Sequence, residues 1–263
     1  MELSNPPKHG TVTLLVVILF IYSLPLLLFG VIVPLVVDNL VARYLLTIFS
    51  ALVLGILAWW ALKRDAIAPE TIGLSFSKVP QTLFILVAGW GMWAGVWALI
   101  ALPQVRASGQ DVSLFIGAPL AIVQQWLFVG LAEELLFRGY LLTRLQLVFS
   151  RFPKAWSMFL AILGSGLIFA TAHVPVKLSN VGADENAWLV VLSGVVEIFI
   201  LGLSFSYFFL RTRNVVLTGL IHGGWNAPLL GKQDVLRLVL FVLVVEFWLL
   251  IEKRRHKSAV LGL

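Results

Sequence analysis

The stretch Val112–Arg138 reads V-S-L-F-I-G-A-P-L-A-I-V-Q-Q-W-L-F-V-G-L-A-E-E-L-L-F-R, uncharged through Ala132 and then meeting Glu133, Glu134 and Arg138. An apolar helix of about 20 residues crosses the roughly 30 Å hydrocarbon core of a bilayer. A charged side chain at the centre of such a helix costs roughly 2.5–3.5 kcal/mol even on lenient insertion scales, so ionisable residues there mark a functional site. Glu134 and Arg138 are four apart on one helix face with the acid first, the favourable order for pairing. Glu133 lies about 100° away around the helix and has no local partner. One carboxylate is neutralised where it stands and the other is left to act as an acid or base.

The rest of the chain agrees with a membrane setting. Of 263 residues 60% are hydrophobic and only 12% charged, against about 25% charged in a soluble domain. The fold class this implies is all-α and polytopic: about eight transmembrane helices in a lipid bilayer, forming a single membrane domain (1–263) around a polar pocket. Charge-poor runs fall at 11–37, 44–62, 80–102, 113–136, 156–176, 187–209, 214–230 and 235–251. The run beginning at Gly10 is too long for a cleavable signal and reads as the first span, with Pro25 and Pro34 predicting a kink or an early end. The net charge of +6 is not a nucleic-acid signal, because the cations sit in short loops between spans.

With both termini placed in the cytoplasm, 14 of the 19 Lys and Arg fall inside, among them Lys8, Arg138, Arg144 and Lys257. The five left outside are Arg43, Arg106, Lys177, Lys232 and Arg237. The connection 138–155 is amphipathic and either lies along the surface or extends the fourth span. The basic end, E-K-R-R-H-K at 252–257, reads as a topology anchor against anionic lipid. There is no Cys, which excludes disulfides, thiol nucleophiles and thiolate metal ligands.

Four His are present, and His9 and His256 lie in the polar tails. The other two, His173 after F-A-T-A and His222 opening H-G-G-W-N, lie in apolar runs. Phe169 and His173 share a helix face, as do His222 and Asn226. Polar groups without partners in lipid cost several kcal/mol, so the three spans are expected to converge on one pocket. Two chemistries suit it. In one, Glu133 is a general base activating water, with the imidazoles and Asn226 polarising a carbonyl and holding the oxyanion. In the other, Glu133, His173 and His222 hold a Zn²⁺ whose open position carries the water. Either hydrolyses a peptide bond, and spacing does not choose between them.

E-E-x-x-x-R, F-x-x-x-H and H-x-x-x-N, in that order over roughly Val112–Gly231, resemble the CPBP intramembrane proteases. These are the Ras-converting CAAX endopeptidases and their prokaryotic relatives linked to bacteriocin processing and immunity. The phrase L-R-T-R-N-V-V-L-T-G-L-I-H at 210–222 looks like the family's link into its last catalytic helix. The resemblance implies a catalytic core at about 112–231 in an intramembrane endopeptidase. Glu133 would be the base, supported by Glu134 and Arg138, with His173, His222 and Asn226 completing the site and Phe169 packing on His173. The substrate would be a peptide or membrane-protein segment, prenylated or not. The membrane would be the cell membrane in a prokaryote or the endoplasmic reticulum in a eukaryote. The family is described both as metal-dependent and as a metal-free glutamate protease, so zinc stays open.

Plainer readings stand beside these. Glu134–Arg138 can be a structural ion pair, Phe169 is packing under either reading, and Gly223-Gly224 allows close helix approach or access to substrate backbone. Glu197 and Glu246 belong to none of the motifs and can be hydrogen-bonded, snorkelling or part of a proton path. A non-catalytic scaffold or immunity protein has no physical need of an unpaired Glu in lipid. A proton-coupled transporter would favour internal repeats, and none is detectable. One tension remains in the boundaries: His222 lies only about 13 Å past Arg213, and His173 about 29 Å past Lys154, at about 1.5 Å per residue.

Overall fold

Proline dictates part of the helical geometry. The computed structural model describes residues 10–36, 38–181, 186–231 and 235–261. His9, Lys8 and Lys232 lie outside them, as do the side chains of His256 and Lys257. Helix α1 (Gly10–Leu35) widens into a π turn at Leu28–Ile32 just before Pro34. Helix α3 (79–107) does the same at Trp97–Ala101 before Pro103. The ring has no N–H and collides with the carbonyl four residues back, which opens the preceding turn. Between them, α2 (Leu40–Arg64) is regular, its first turn capped by Asn39, whose Oδ1 accepts from Ala42 N at 2.9 Å.

Helix α4 (Pro119–Val148) is longer than expected and begins later. Residues 113–118 are not part of it; Asp111 caps a 3-10 turn at Val112–Phe115, and its carboxyl is held below the usual range by the Ser113 N–H it accepts at 2.8 Å. Beyond Arg138 the helix runs on, so the stretch after it extends the fourth span, and Arg138 and Arg144 are buried instead of lying in a loop. Helices α5 (Lys154–Ala172) and α6 (Val174–Asn180) break at His173, with Pro175 in the first turn of α6. Helix α7 (Ala187–Thr212) ends on Arg213 at φ 47°. Two short helices' worth of expected span behave differently. Helix α8 covers only Val215–Asn226, twelve residues of which nine are buried. At about 1.5 Å per residue it is too short to cross a membrane. Pro228 ends it by forcing Ala227 out of the helical region (φ −130°, ψ 85°). Helix α9 (Val235–Leu261) has the length but carries Arg237, Glu246 and Glu252.

Among the described residues six helical segments are long and apolar enough to span a membrane: α1, α2, α3, α4, α5 with α6, and α7. Their outward faces are apolar, with Leu19, Val87, Leu99 and Trp188 all more than two-thirds exposed. A water-soluble protein rarely exposes contiguous apolar surface on this scale. The chain is a multi-pass α-helical membrane protein. Inside, one apolar cluster joins α1, α2, α4 and α5, and a second joins α3, α7, α8 and α9.

Helix α8 is pinned between these clusters. A Cβ on Gly130 would stand 2.3 Å from the Gly219 carbonyl, and one on Gly223 2.5 Å from the backbone of Gln125 and Trp126. The two helices therefore touch backbone to backbone, which only glycine permits. At its other end Asn214 is buried; its Oδ1 accepts from Leu217 N (3.0 Å) and its Nδ2 donates to Thr82 Oγ1 (2.8 Å). Lys78 Nζ donates to the Thr212 carbonyl at 2.9 Å. The α7–α8 turn is thus seated on the start of α3. The α4–α5 hairpin, by contrast, runs about 22 Å past Glu133 to Val148. That difference in reach resolves the depth mismatch between His173 and His222.

Candidate active site

Glu133 and Glu134 stand in a short α-helical piece, Gly130–Glu134, flanked by π turns at Gln124–Val129 and Leu135–Leu142. No proline follows either π segment within α4, whereas Pro34 and Pro103 stand two residues past those of α1 and α3, and π turns are frequent at functional sites. All the expected site residues come together here. Glu134 and Arg138 are fully buried, with Arg138 Nη1 donating to Glu134 Oε1 at 2.7 Å. Arg138 Nη2 donates to the Gly202 carbonyl at 2.7 Å, and its guanidinium lies 4.6 Å from the ring centre of Phe169. His222 Nδ1 donates to the same Glu134 Oε1 at 2.8 Å. Phe205 stacks on the His222 ring at 4.5 Å and 17°.

His173 is set by the helix break. Its backbone N–H turns to the Ala170 carbonyl (3.1 Å), which releases the Phe169 carbonyl to accept from His173 Nδ1 at 2.7 Å. The Phe169 ring meets His173 edge-on at 4.8 Å. Carboxylate and carbonyl oxygens only accept, so each imidazole spends its Nδ1–H on its anchor. In the neutral form both Nε2 lone pairs are then free, and both face Glu133. Its Oε2 lies 3.7 Å from His222 Nε2 and 4.0 Å from His173 Nε2, beyond hydrogen-bond range of either. Glu133 is 16% exposed, while Glu134 is sealed. Three acceptors thus face one another, and the natural complement is a molecule with protons to share between them.

The donor set has the chemistry of a catalytic zinc site. As the side chains stand, however, no three His, Asp or Glu among the described residues form a group that could hold a metal ion. Asn226 stands at the rim, and its Nδ2 donates to Gln125 Oε1 at 3.0 Å. Two cavities meet at His173. One, of about 380 Å³, lies among α1, α2, α4 and α6 and reaches Glu133, Gln125 and Arg43. The other, of about 260 Å³, is lined by His222, Asn226, Lys177 and Glu197.

Some of these residues escaped the sequence reading. Gln125 and Phe205 match no motif used above, and Asn214 stands in the 210–222 phrase without a role assigned to it; an amide in an apolar span and an Asn before an apolar run are the signals for the first and last. Of the two unassigned acids, Glu197 lines the second cavity. Glu246 is bound by Arg211 (Nε–Oε1 2.7 Å, Nη2–Oε2 2.5 Å) and by the Tyr207 hydroxyl, tying α9 to α7. Arg237 is buried, its guanidinium 5.3, 5.7 and 5.6 Å from the rings of Trp90, Trp93 and Trp225.

Residues 115–228 match the family model described as type II CAAX prenyl endopeptidase, Rce1-like. No curated protein and no solved structure matches the chain. The matched segment holds every residue of the cluster from Glu133 to Asn226, and over that segment the chain is similar to the Rce1-like CAAX proteases.

Proposed function

We propose that this protein is an intramembrane endopeptidase in which Glu133 activates the water that cleaves a peptide bond. The observation that carries the reading is the convergence of Glu133 Oε2 with the free Nε2 atoms of His173 and His222. A water placed among them donates one proton toward Glu133 and is oriented by an imidazole. As its oxygen adds to the scissile carbonyl carbon, Glu133 takes the proton. The developing oxyanion is met by the Asn226 amide N–H at the rim. When the C–N bond breaks, Glu133 returns the proton to the leaving amine, so water is consumed and no other reactant is needed.

Glu134 and Arg138 act behind this group. They fix the His222 ring as the carboxylate does in a hydrolase triad. The substrate is a peptide or membrane-protein segment, and the cavity on the Glu133 side, walled largely by Ile, Leu, Val and Phe, accommodates apolar side chains or a lipid-like group. Lys63, Arg64, Lys78, Arg151, Lys154, Arg211 and Arg213 on one side of the six spans, against Arg43, Arg106 and Lys177 on the other, support a cytoplasmic N-terminus.

The test compares purified wild type with Glu133→Gln, Glu133→Ala and His173→Ala on quenched peptides, prenylated and not. Wild type cleaves, and Glu133→Gln loses at least about 10³-fold in kcat while staying folded. Parallel reactions with a chelator, and with Zn²⁺ added back, separate glutamate from metal chemistry. Cleavage by Glu133→Gln at the wild-type rate would sink the proposal.

A further inference from the structure

Beside the cluster just described sits an amide that the family motifs do not include. Gln125 lies eight residues before Glu133 on α4. On an unbroken α-helix that spacing leaves the two about 80° apart. The π turn Gln124–Val129 inserts about one extra residue into the winding and brings them to within about 20°. Both now line the same cavity. Gln125 Oε1 accepts the Asn226 Nδ2–H at 3.0 Å.

The contact is held on each side. Gly223 lets α8 lie against the backbone of Gln125 and Trp126, and Trp126 Nε1 donates to the Ala227 carbonyl at 2.8 Å, next to Asn226. Asn226 is itself exposed at the end of its helix, where an untethered amide rotates freely.

We propose, resting on the protease reading above, that Gln125 is a positioning residue. It spends one Asn226 N–H so that the amide is fixed in plane, and the remaining N–H is aimed at the carbonyl oxygen that becomes the oxyanion. An oxyanion donor is effective only when preorganised, and an amide free to rotate pays for its orientation in every turnover. Gln125 supplies that orientation without touching the reacting atoms.

The test is a double-mutant cycle of wild type, Gln125→Met, Asn226→Ala and the double variant on a peptide that wild type cuts. Gln125→Met lowers kcat about 10- to 100-fold, with KM changed less than about twofold. The double variant is no slower than Asn226→Ala alone, because Gln125 has nothing left to hold. Losses that multiply, a loss confined to KM, or an unchanged kcat would each overturn the proposal. If melting shows that Gln125→Met does not fold, Gln125→Glu, which keeps the acceptor for Asn226, takes its place and retains most of kcat; unfolding of both makes Gln125 structural and overturns the role. If wild type and every variant leave all peptides uncut, it is the protease reading that fails. The pair is then read from the melting temperatures of the same four proteins, where additive shifts refute the contact itself.

Discussion

Helix α4 carries two buried ionic clusters less than two turns apart, and they are built to opposite ends. In the first, Glu134, Arg138 and His222 are closed off, yet they face Glu133, which remains open to a cavity. In the second, Asp65 at the end of α2 accepts from the Tyr140 hydroxyl at 3.0 Å and pairs with Arg144 Nε at 3.4 Å. Arg144 also donates to the Gly10 carbonyl at 3.2 Å, drawing in the start of α1. Every charge in the second cluster is paired in joining helices, with Asp65 Oδ1 left without a hydrogen-bond partner. The first has one carboxylate more than its cation needs, and that surplus is what chemistry requires. Buried charge alone does not mark an active site; a buried charge with a neighbour left unsatisfied beside a cavity does.

Substitutions can break this comparison, and the largest effect is expected at the surplus group. Glu133→Gln removes at least about 10³-fold of kcat with an unchanged or raised melting temperature, since no ion pair is lost. A fall in stability would place Glu133 with the joining groups. Arg138→Met leaves Glu134 buried without its cation and costs about 3–5 kcal/mol, measured by thermal or denaturant unfolding in detergent, and it abolishes cleavage by freeing His222. Stability within about 1 kcal/mol of wild type would show that the pair is not sealed. In the second cluster Tyr140→Phe removes one hydrogen bond to a charged acceptor and costs about 1.5–3 kcal/mol, while kcat per folded molecule stays at the wild-type value. A drop in kcat at full folding would couple the two clusters. Glu246→Gln is the smallest, below about 1 kcal/mol, because its pair with Arg211 is 38–46% exposed; a larger loss would show that the α7–α9 tie holds the bundle together.

What could be read in advance follows from local physics. Glu134 and Arg138 pair because four residues on a helix share a face, and that distance is written in the chain. The gathering of His173, His222 and Asn226 followed from the cost of leaving them alone in lipid. The second cluster was unreadable, since Asp65 and Arg144 stand at the ends of apolar runs where charges are expected to be solvated. The span reading ended α4 near 136 and left its extension past Arg138 as one of two alternatives; Glu134 and the Gly202 carbonyl neutralise Arg138, so the helix continues to Val148.

By itself, then, the sequence determined the membrane-embedded helical class, the first six of the segments that span, and which few polar side chains have to meet. Apolar length and helical periodicity are local properties, and burial of charge in lipid is costly enough to be seen in composition. The tertiary structure alone decided how they meet. Backbone contact at Gly130, Gly219 and Gly223 draws α8 against α4, and Asn214 sets its depth against α3. The break at His173 aims its ring, and the π turns of α4 bring Gln125 into line with Glu133. Each of these depends on partners distant in sequence or on a one-residue change of helical phase, and neither leaves a mark in a pattern of residue types.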